Sequence, residues 1–148
     1  MIDINIINDY GPKISFKNKS IETLASDLLN QYSIPEGQLS IILSNKTLLN
    51  KLKKDYFNLN HFTDVITFNL EDEDEPLDGE VYISIDDVYE NSKKYNVSFN
   101  NEFKRVVIHG ILHLLGFNDQ TKKEKEKMTK LENINMSLIS EILITINK

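Results

Sequence analysis

Cysteine is absent from all 148 residues, which removes disulfides and thiolate ligands together. Any bound metal must then be held by nitrogen and oxygen, and no disulfide-linked partner is expected. Long apolar runs are missing too, for none approaches the roughly 20 residues that a membrane span needs. The opening MIDINIINDY lacks the basic segment and long apolar core of a secretory signal. The expectation is a cytoplasmic protein that does not enter a membrane. Positive charge is in deficit, with 17 Lys and Arg against 23 Asp and Glu and a net charge of −6. That balance argues against a protein that coats nucleic acid non-specifically, because the phosphate backbone rewards clustered cations. No internal repeat or low-complexity linker interrupts the chain, so residues 1–148 suit one domain with a real core.

The charge is unevenly placed. Glu71-Asp72-Glu73-Asp74-Glu75 reads as a solvated loop, while lysines gather at Lys51, Lys53 and Lys54 and again from Lys122 to Lys130. Each lysine group reads as a soluble helix face, the second most simply so; a local basic surface is the sharper alternative.

Of the three histidines, two fall in Val106–Asp119, VVIHGILHLLGFND. At 3.6 residues per turn, His109 and His113 share one helical face and can offer ring nitrogens to one cation. Gly116 suits the left-handed residue that ends such a helix, and the turn it permits can return Asp119 to the same cation. Three protein ligands with a fourth position open is the catalytic form of a zinc site. Two core histidines bonded to backbone are the plainer alternative. Gly110 sits mid-helix, where glycine costs about 1 kcal/mol relative to alanine. Either close approach of substrate or ordinary helix packing would explain it.

The run HGILHLLGFND resembles the signature H-G-x-L-H-L-x-G-Y-D-H of the YbeY-type endoribonucleases, bacterial metal-dependent proteins of ribosomal RNA maturation. Asn118 stands where that family usually has Asp, and Asp119 where it has its third metal-binding His. A carboxylate still ligates zinc but lowers the charge of the site, so the metal should be somewhat less electrophilic. The resemblance continues through TDVITF, Thr63 to Phe68, and Gly79-Glu80-Val81-Tyr82-Ile83-Ser84, in the family's order and spacing. It implies one Zn2+ per chain on His109, His113 and Asp119, a ribosomal RNA or small-subunit partner, and substrate contacts at Thr63 and Asp64. From the residues alone, Thr63 and Asp64 read more simply as turn-capping groups. Many family members carry an arginine six residues before the Thr, thought to engage RNA phosphate, and here that position is Phe57. Lys53 or Lys54 is expected to stand in for it, as a point charge without the bidentate fork.

In order, Ile2–Ile6 alternates as a strand and Gly11-Pro12 breaks it. Ser20 is expected to cap a helix through about Gln31, with Ile21, Leu24, Ala25, Leu28 and Leu29 inward. Gln38–Ser44 reads as a second strand, followed by a lysine-rich helix from Asn45 or Thr47 to about Tyr56. Ser84 caps a helix to about Tyr95, with Asp86 and Asp87 suiting its dipole. The metal helix is expected from Asn100 or Asn101, with Glu102 near its start. Thr121 and Glu124 form a capping box that opens a long last helix, with Met128, Leu131, Ile134, Leu138, Ile139 and Ile142 inward. The fold class is α+β, a mixed sheet flanked by helices around a central metal-binding helix.

Zinc in such a site lowers the pKa of its water to about 7 and neutralises phosphoryl charge. In His-Glu-x-x-His peptidases the residue after the first histidine is the general base, and here it is Gly110, which argues against peptide cleavage. No base is evident; Asp64, His61 and Glu102 are the candidates. The reading is a zinc-dependent endoribonuclease of ribosomal RNA maturation. A metallohydrolase of another kind, such as a peptidase, and a non-enzymatic ribosome-associated factor with a structural metal stay open.

Overall fold

Three alternating isoleucines start the sheet. In the computed structural model, which describes residues 2–57, 64–137 and 143–146, strand β1 (Ile2–Asn8) turns Ile2, Ile4 and Ile6 toward the core. It pairs in parallel with β3 (Gly37–Ser44), and β3 pairs in parallel with β5 (Leu77–Ser84). Parallel neighbours need a crossover, and helix α1 (Asn18–Gln31) supplies the first. Strand β4 (Val65–Asn69) lies antiparallel on the β5 edge, giving the order β1-β3-β5-β4. The sheet is mixed, as expected for an α+β fold. Leu39, Ile41, Leu43, Val81 and Ile83 are fully buried in one core.

The inward set of α1 is the expected one, Ile21, Leu24, Ala25, Leu28 and Leu29. Its start is not. The helix begins at Asn18, with Lys17 in the cap position and no side-chain cap, so Ser20 lies inside the first turn. A tertiary tie sets this entry instead of a capping hydroxyl. Lys17 donates its backbone N–H to Leu143 O at 2.8 Å, where β2 (Ile14–Phe16) pairs antiparallel with β6 (Ile144–Ile146). Neither short strand carries enough alternation to be read from sequence.

Helix α2 (Lys46–Phe57) is capped by Asn45, whose Oδ1 accepts from Leu48 N. Helix α3 (Ile85–Lys94) is capped by Ser84 as expected. Helix α4 (Phe99–Leu114) starts earlier than expected, on a Ser98 cap. Asn100 does not start it, because its Oδ1 accepts the N–H groups of Leu143 and Ile144. Helix α5 (Lys122–Met136) opens with the Thr121–Glu124 capping box. Its inward stripe differs from expectation: Ile134 is 55% exposed, while Glu132 and Asn135 are buried beside Met128. Positions 128, 132 and 135 follow one helical face, and two of them are polar, which an apolar count misses. Leu138, Ile139 and Ile142 lie outside the described residues.

Helix α4 is central, packing against α1, α3, α5, β4, β5 and β6. Gly110 explains how it sits so close to the sheet. A Cβ there would fall 2.8 Å from Val81 Cγ1 and 3.1 Å from Val65 Cγ2, so helix packing, not substrate, accounts for this glycine.

Candidate metal centre

One face of α4 carries Glu102, Arg105, His109 and His113, spaced three and four residues apart. The two imidazoles are ring neighbours, with centroids 4.7 Å apart. Beyond them the helix ends in a Schellman turn. Gly116 has φ +99°, its N–H bonds His113 O at 3.0 Å, and the N–H of Phe117 bonds Leu112 O at 3.1 Å. The Phe117 ring meets Tyr32 edge-on at 5.5 Å, which pins the turn to α1. The chain therefore doubles back, and Asp119 Oδ2 comes to rest 3.4 Å from His109 Nε2 and 3.3 Å from His113 Nε2.

These spacings fit a metal. Ligands at about 2.0–2.1 Å from a tetrahedral zinc stand roughly 3.3 Å from one another. The three donor atoms all lie within 4.8 Å of each other and are half-buried. Two neutral nitrogens and one carboxylate oxygen suit a borderline ion, and all three face one point.

A residue not singled out in the sequence holds this arrangement. Glu132 Oε2 on α5 lies 2.7 Å from His109 Nδ1. A carboxylate there accepts a hydrogen bond from Nδ1–H and so leaves Nε2 with its lone pair free for a metal. Arg105 Nη1 in turn donates to Glu132 Oε1 at 2.9 Å, and its Nη2 to Asn133 Oδ1 at 2.8 Å. Burial alone would lower the pKa of His109, but the Glu132 hydrogen bond and the charges of Glu132, Asp119 and Asp64 outweigh it and raise it. Burial would raise Glu132, yet its bonds to His109 and Arg105 hold it below the usual carboxylate value. The available signals were the i, i+4 spacing of Arg105 to His109 and a lone acid on the inward face of α5.

The other expected site residues are placed unevenly. Asp64, half-buried where β4 begins, faces the same region: its charge acts on His109, and its own pKa is raised, mainly by burial. Glu102 is 7% exposed, and burial, with Asp64 beside it, pushes its carboxyl up to about 7. Lys53 is buried near Asp64, and loss of solvent lowers its pKa. Lys54 is exposed on α2. His61 and Thr63 lie outside the described residues.

Known proteins with this sequence pattern point one way. The family described as Endoribonuclease YbeY matches residues 6–140. The chain is 37% identical over 118 residues to an Amoebophilus asiaticus protein named Endoribonuclease YbeY, covering 80% of each. A Karelsulcia muelleri protein of the same name is 42% identical over 97 residues, 66% of this chain and 68% of its own. A Thermotoga maritima protein solved in solution superposes with a TM-score of 0.58 at 31% identity, over 93% of this chain and 91% of that one. The match spans the metal helix, its Schellman turn and the sheet beneath, and on that extent the chain belongs to the endoribonuclease YbeY family.

Proposed function

We propose that this chain is a zinc-dependent endoribonuclease that cleaves ribosomal RNA during maturation of the small subunit, in the cytoplasm. The observation that carries the reading is the convergence of His109 Nε2, His113 Nε2 and Asp119 Oδ2, with donor spacings of 3.3–3.4 Å to the carboxylate. Zinc held there would polarise a phosphoryl oxygen and acidify water, both of which suit phosphodiester hydrolysis. The chain's own part is orientation and charge. Glu132 holds the proton at His109 Nδ1, and Arg105 keeps Glu132 ionised. Lys53, Lys54, Thr63 and Asp64 are the proposed substrate contacts, with Asp64, His61 and Glu102 the candidates for proton transfer.

A peptidase is disfavoured by the fate of position 110. In the His-Glu-x-x-His pattern that position holds the base, whereas Gly110 here faces Val81 and Val65 with no room for a side chain.

The test is metal content together with cleavage of a structured ribosomal RNA fragment, with and without a chelator. About one zinc per chain and chelator-sensitive cutting that His113→Ala abolishes is the expected result. Zinc without cutting would overturn the nuclease in favour of a binding factor, and peptide turnover without RNA turnover would favour a peptidase.

A further inference from the structure

A cleft of about 490 Å³ lies beyond the carboxyl ends of β1, β3 and β5, and none of His109, His113 and Asp119 lines it. Open α/β sheets characteristically bind ligands at that end of their parallel strands. The cleft is built from a turn upward. Asn8 Oδ1 accepts the N–H groups of Tyr10 at 2.9 Å and of Gly11 at 3.4 Å, with Gly11 at φ +120°. Tyr10 is thereby carried across the strand ends, where its hydroxyl donates to Asp86 Oδ1 at 2.6 Å. Asp86 Oδ2 accepts from the backbone N–H of Lys46 at 3.0 Å. Two bonds from two elements fix the carboxylate, and each of its oxygens keeps lone-pair capacity for a further donor. The bond to Asp86, first among the causes, pushes the Tyr10 pKa up to about 12, so the phenol keeps its proton and this tie across the pH range of the cell.

The remaining lining suits a flat ring with N–H donors. Ile14, Tyr89 and Phe99 form apolar walls. The Tyr89 ring meets Phe99 edge-on at 5.3 Å and has Lys93 Nζ 4.6 Å from its centroid, so it is held from two sides. The charges balance: Lys13 and Lys46 stand against Asp86 and Glu90, with Lys46 Nζ 3.0 Å from Glu90 Oε2. An even balance does not select a free anion. An aromatic wall beside a fixed, acceptor-only carboxylate selects a nucleobase, and a cleft of this size has room for one. Guanine is the base that matches, because its adjacent N1–H and N2–H groups meet both oxygens of a carboxylate. Adenine and cytosine place an acceptor beside their amino group, and uracil flanks its single N–H with carbonyls.

We propose that this cleft is a subsite for an unpaired guanine of a single-stranded RNA segment, stacked on Tyr89 and read by Asp86, with Lys13 and Lys93 attracting the flanking phosphates. The role of the subsite rests on the nuclease reading; the binding itself does not. Phe99 at the cleft and His109 at the metal centre stand about 15 Å apart along α4. Helix α3 joins the two places: Tyr89 and Glu90 line the cleft, while Asn91 Nδ2 donates to Asp64 Oδ2 at 3.3 Å, and the charge of Asp64 acts on His109. At the ~3.4 Å rise of stacked bases, about four or five nucleotides span that distance. Seating a guanine here therefore sets which bond of the strand reaches the metal, and takes no part in breaking it.

The experiment measures binding of the single-stranded pentamers UUGUU and UUAUU, and of guanosine monophosphate, to the full chain by calorimetry, with cleavage of a ribosomal RNA fragment read on the same preparation. UUGUU is expected to bind at least about tenfold more tightly than UUAUU and than the free nucleotide. Tyr89→Ala should weaken UUGUU about tenfold. Asp86→Asn, which can still accept from Lys46 N and donate to the Tyr10 oxygen, should keep the fold and bind the two pentamers alike. Tyr56→Ala, which removes an exposed ring outside the cleft, should bind as the parent does. Equal affinity of the parent for both pentamers, or unchanged discrimination in Asp86→Asn, would overturn the proposal. Free nucleotide bound as tightly as UUGUU would overturn the strand subsite in favour of a site for guanine nucleotides. Intact ribosomal RNA alongside guanine-selective binding would overturn the nuclease reading and leave the base site standing.

Discussion

Glu132 Oε2 sits 2.7 Å from His109 Nδ1, across the packed faces of α5 and α4. The contact fixes which nitrogen of His109 is free, so removing it frees the ring to rotate and to change tautomer. Glu132→Ala is expected to weaken zinc binding by about 10–100-fold. Glu132→Gln, which keeps an acceptor but not the charge, should fall between it and the parent. Titration against a competing chelator reads both, and an unchanged dissociation constant in Glu132→Ala would remove the orienting role.

The Gly116 turn brings Asp119 to the histidines, and among the described residues its carboxylate faces the two imidazoles. Asp119→Ala should therefore lower zinc affinity by at least about tenfold, since one ligand of three is lost, while circular dichroism stays the same. Asp119→His should recover binding. Parental zinc stoichiometry and affinity in Asp119→Ala would remove this carboxylate from the site.

Gly110→Ala sets two principles against each other. Alanine is the better helix former by about 1 kcal/mol, but its Cβ would meet Val81 Cγ1 at 2.8 Å and Val65 Cγ2 at 3.1 Å. Val81 is fully buried, so the neighbour cannot step aside, and overpacking of this kind costs about 1–3 kcal/mol. The net is a destabilisation of up to about 2 kcal/mol, read as a fall in melting temperature of up to roughly 8 °C for a domain of this size. A rise would mean that the helix can lift from the sheet without loss.

The group that could hold a metal, His109, His113 and Asp119, was legible because its signal is local: a four-residue spacing, a glycine and a turn. The same holds for the Thr121–Glu124 box and the Ser84 cap. What was not legible depends on residues far apart in sequence. Asn100 looked like a cap but is spent on the backbone of Leu143 and Ile144, and the strand pair β2–β6 fixes where α1 begins. Glu132 was hidden for a related reason. Its neighbours Met128 and Leu131 suggested an apolar stripe leading to Ile134, whereas the buried face of α5 runs through Met128, Glu132 and Asn135.

Glu102 makes the pH dependence of the metal-free protein informative. Its carboxyl is raised from the ordinary 4.5 to about 7, first by burial and then by Asp64. Between those values the folded chain keeps a proton that the unfolded chain has released, so stability falls as pH rises through this window and levels off above it. Asp64, also raised, acts in the same direction. His109, raised as well, contributes stability that is complete below its unfolded value near 6.5 and is lost as pH rises through its folded one. Glu132, lowered, matters only in acid, below the ordinary carboxylate value. The zinc-free protein should thus melt lower at pH 8 than at pH 5. Glu102→Gln mimics the protonated acid, so it should match the parent at pH 5 and exceed it at pH 8, by on the order of 2 kcal/mol. That corresponds to roughly 4–8 °C in melting temperature. Equal melting at pH 8 would mean that Glu102 is solvated there and that burial does not hold its proton.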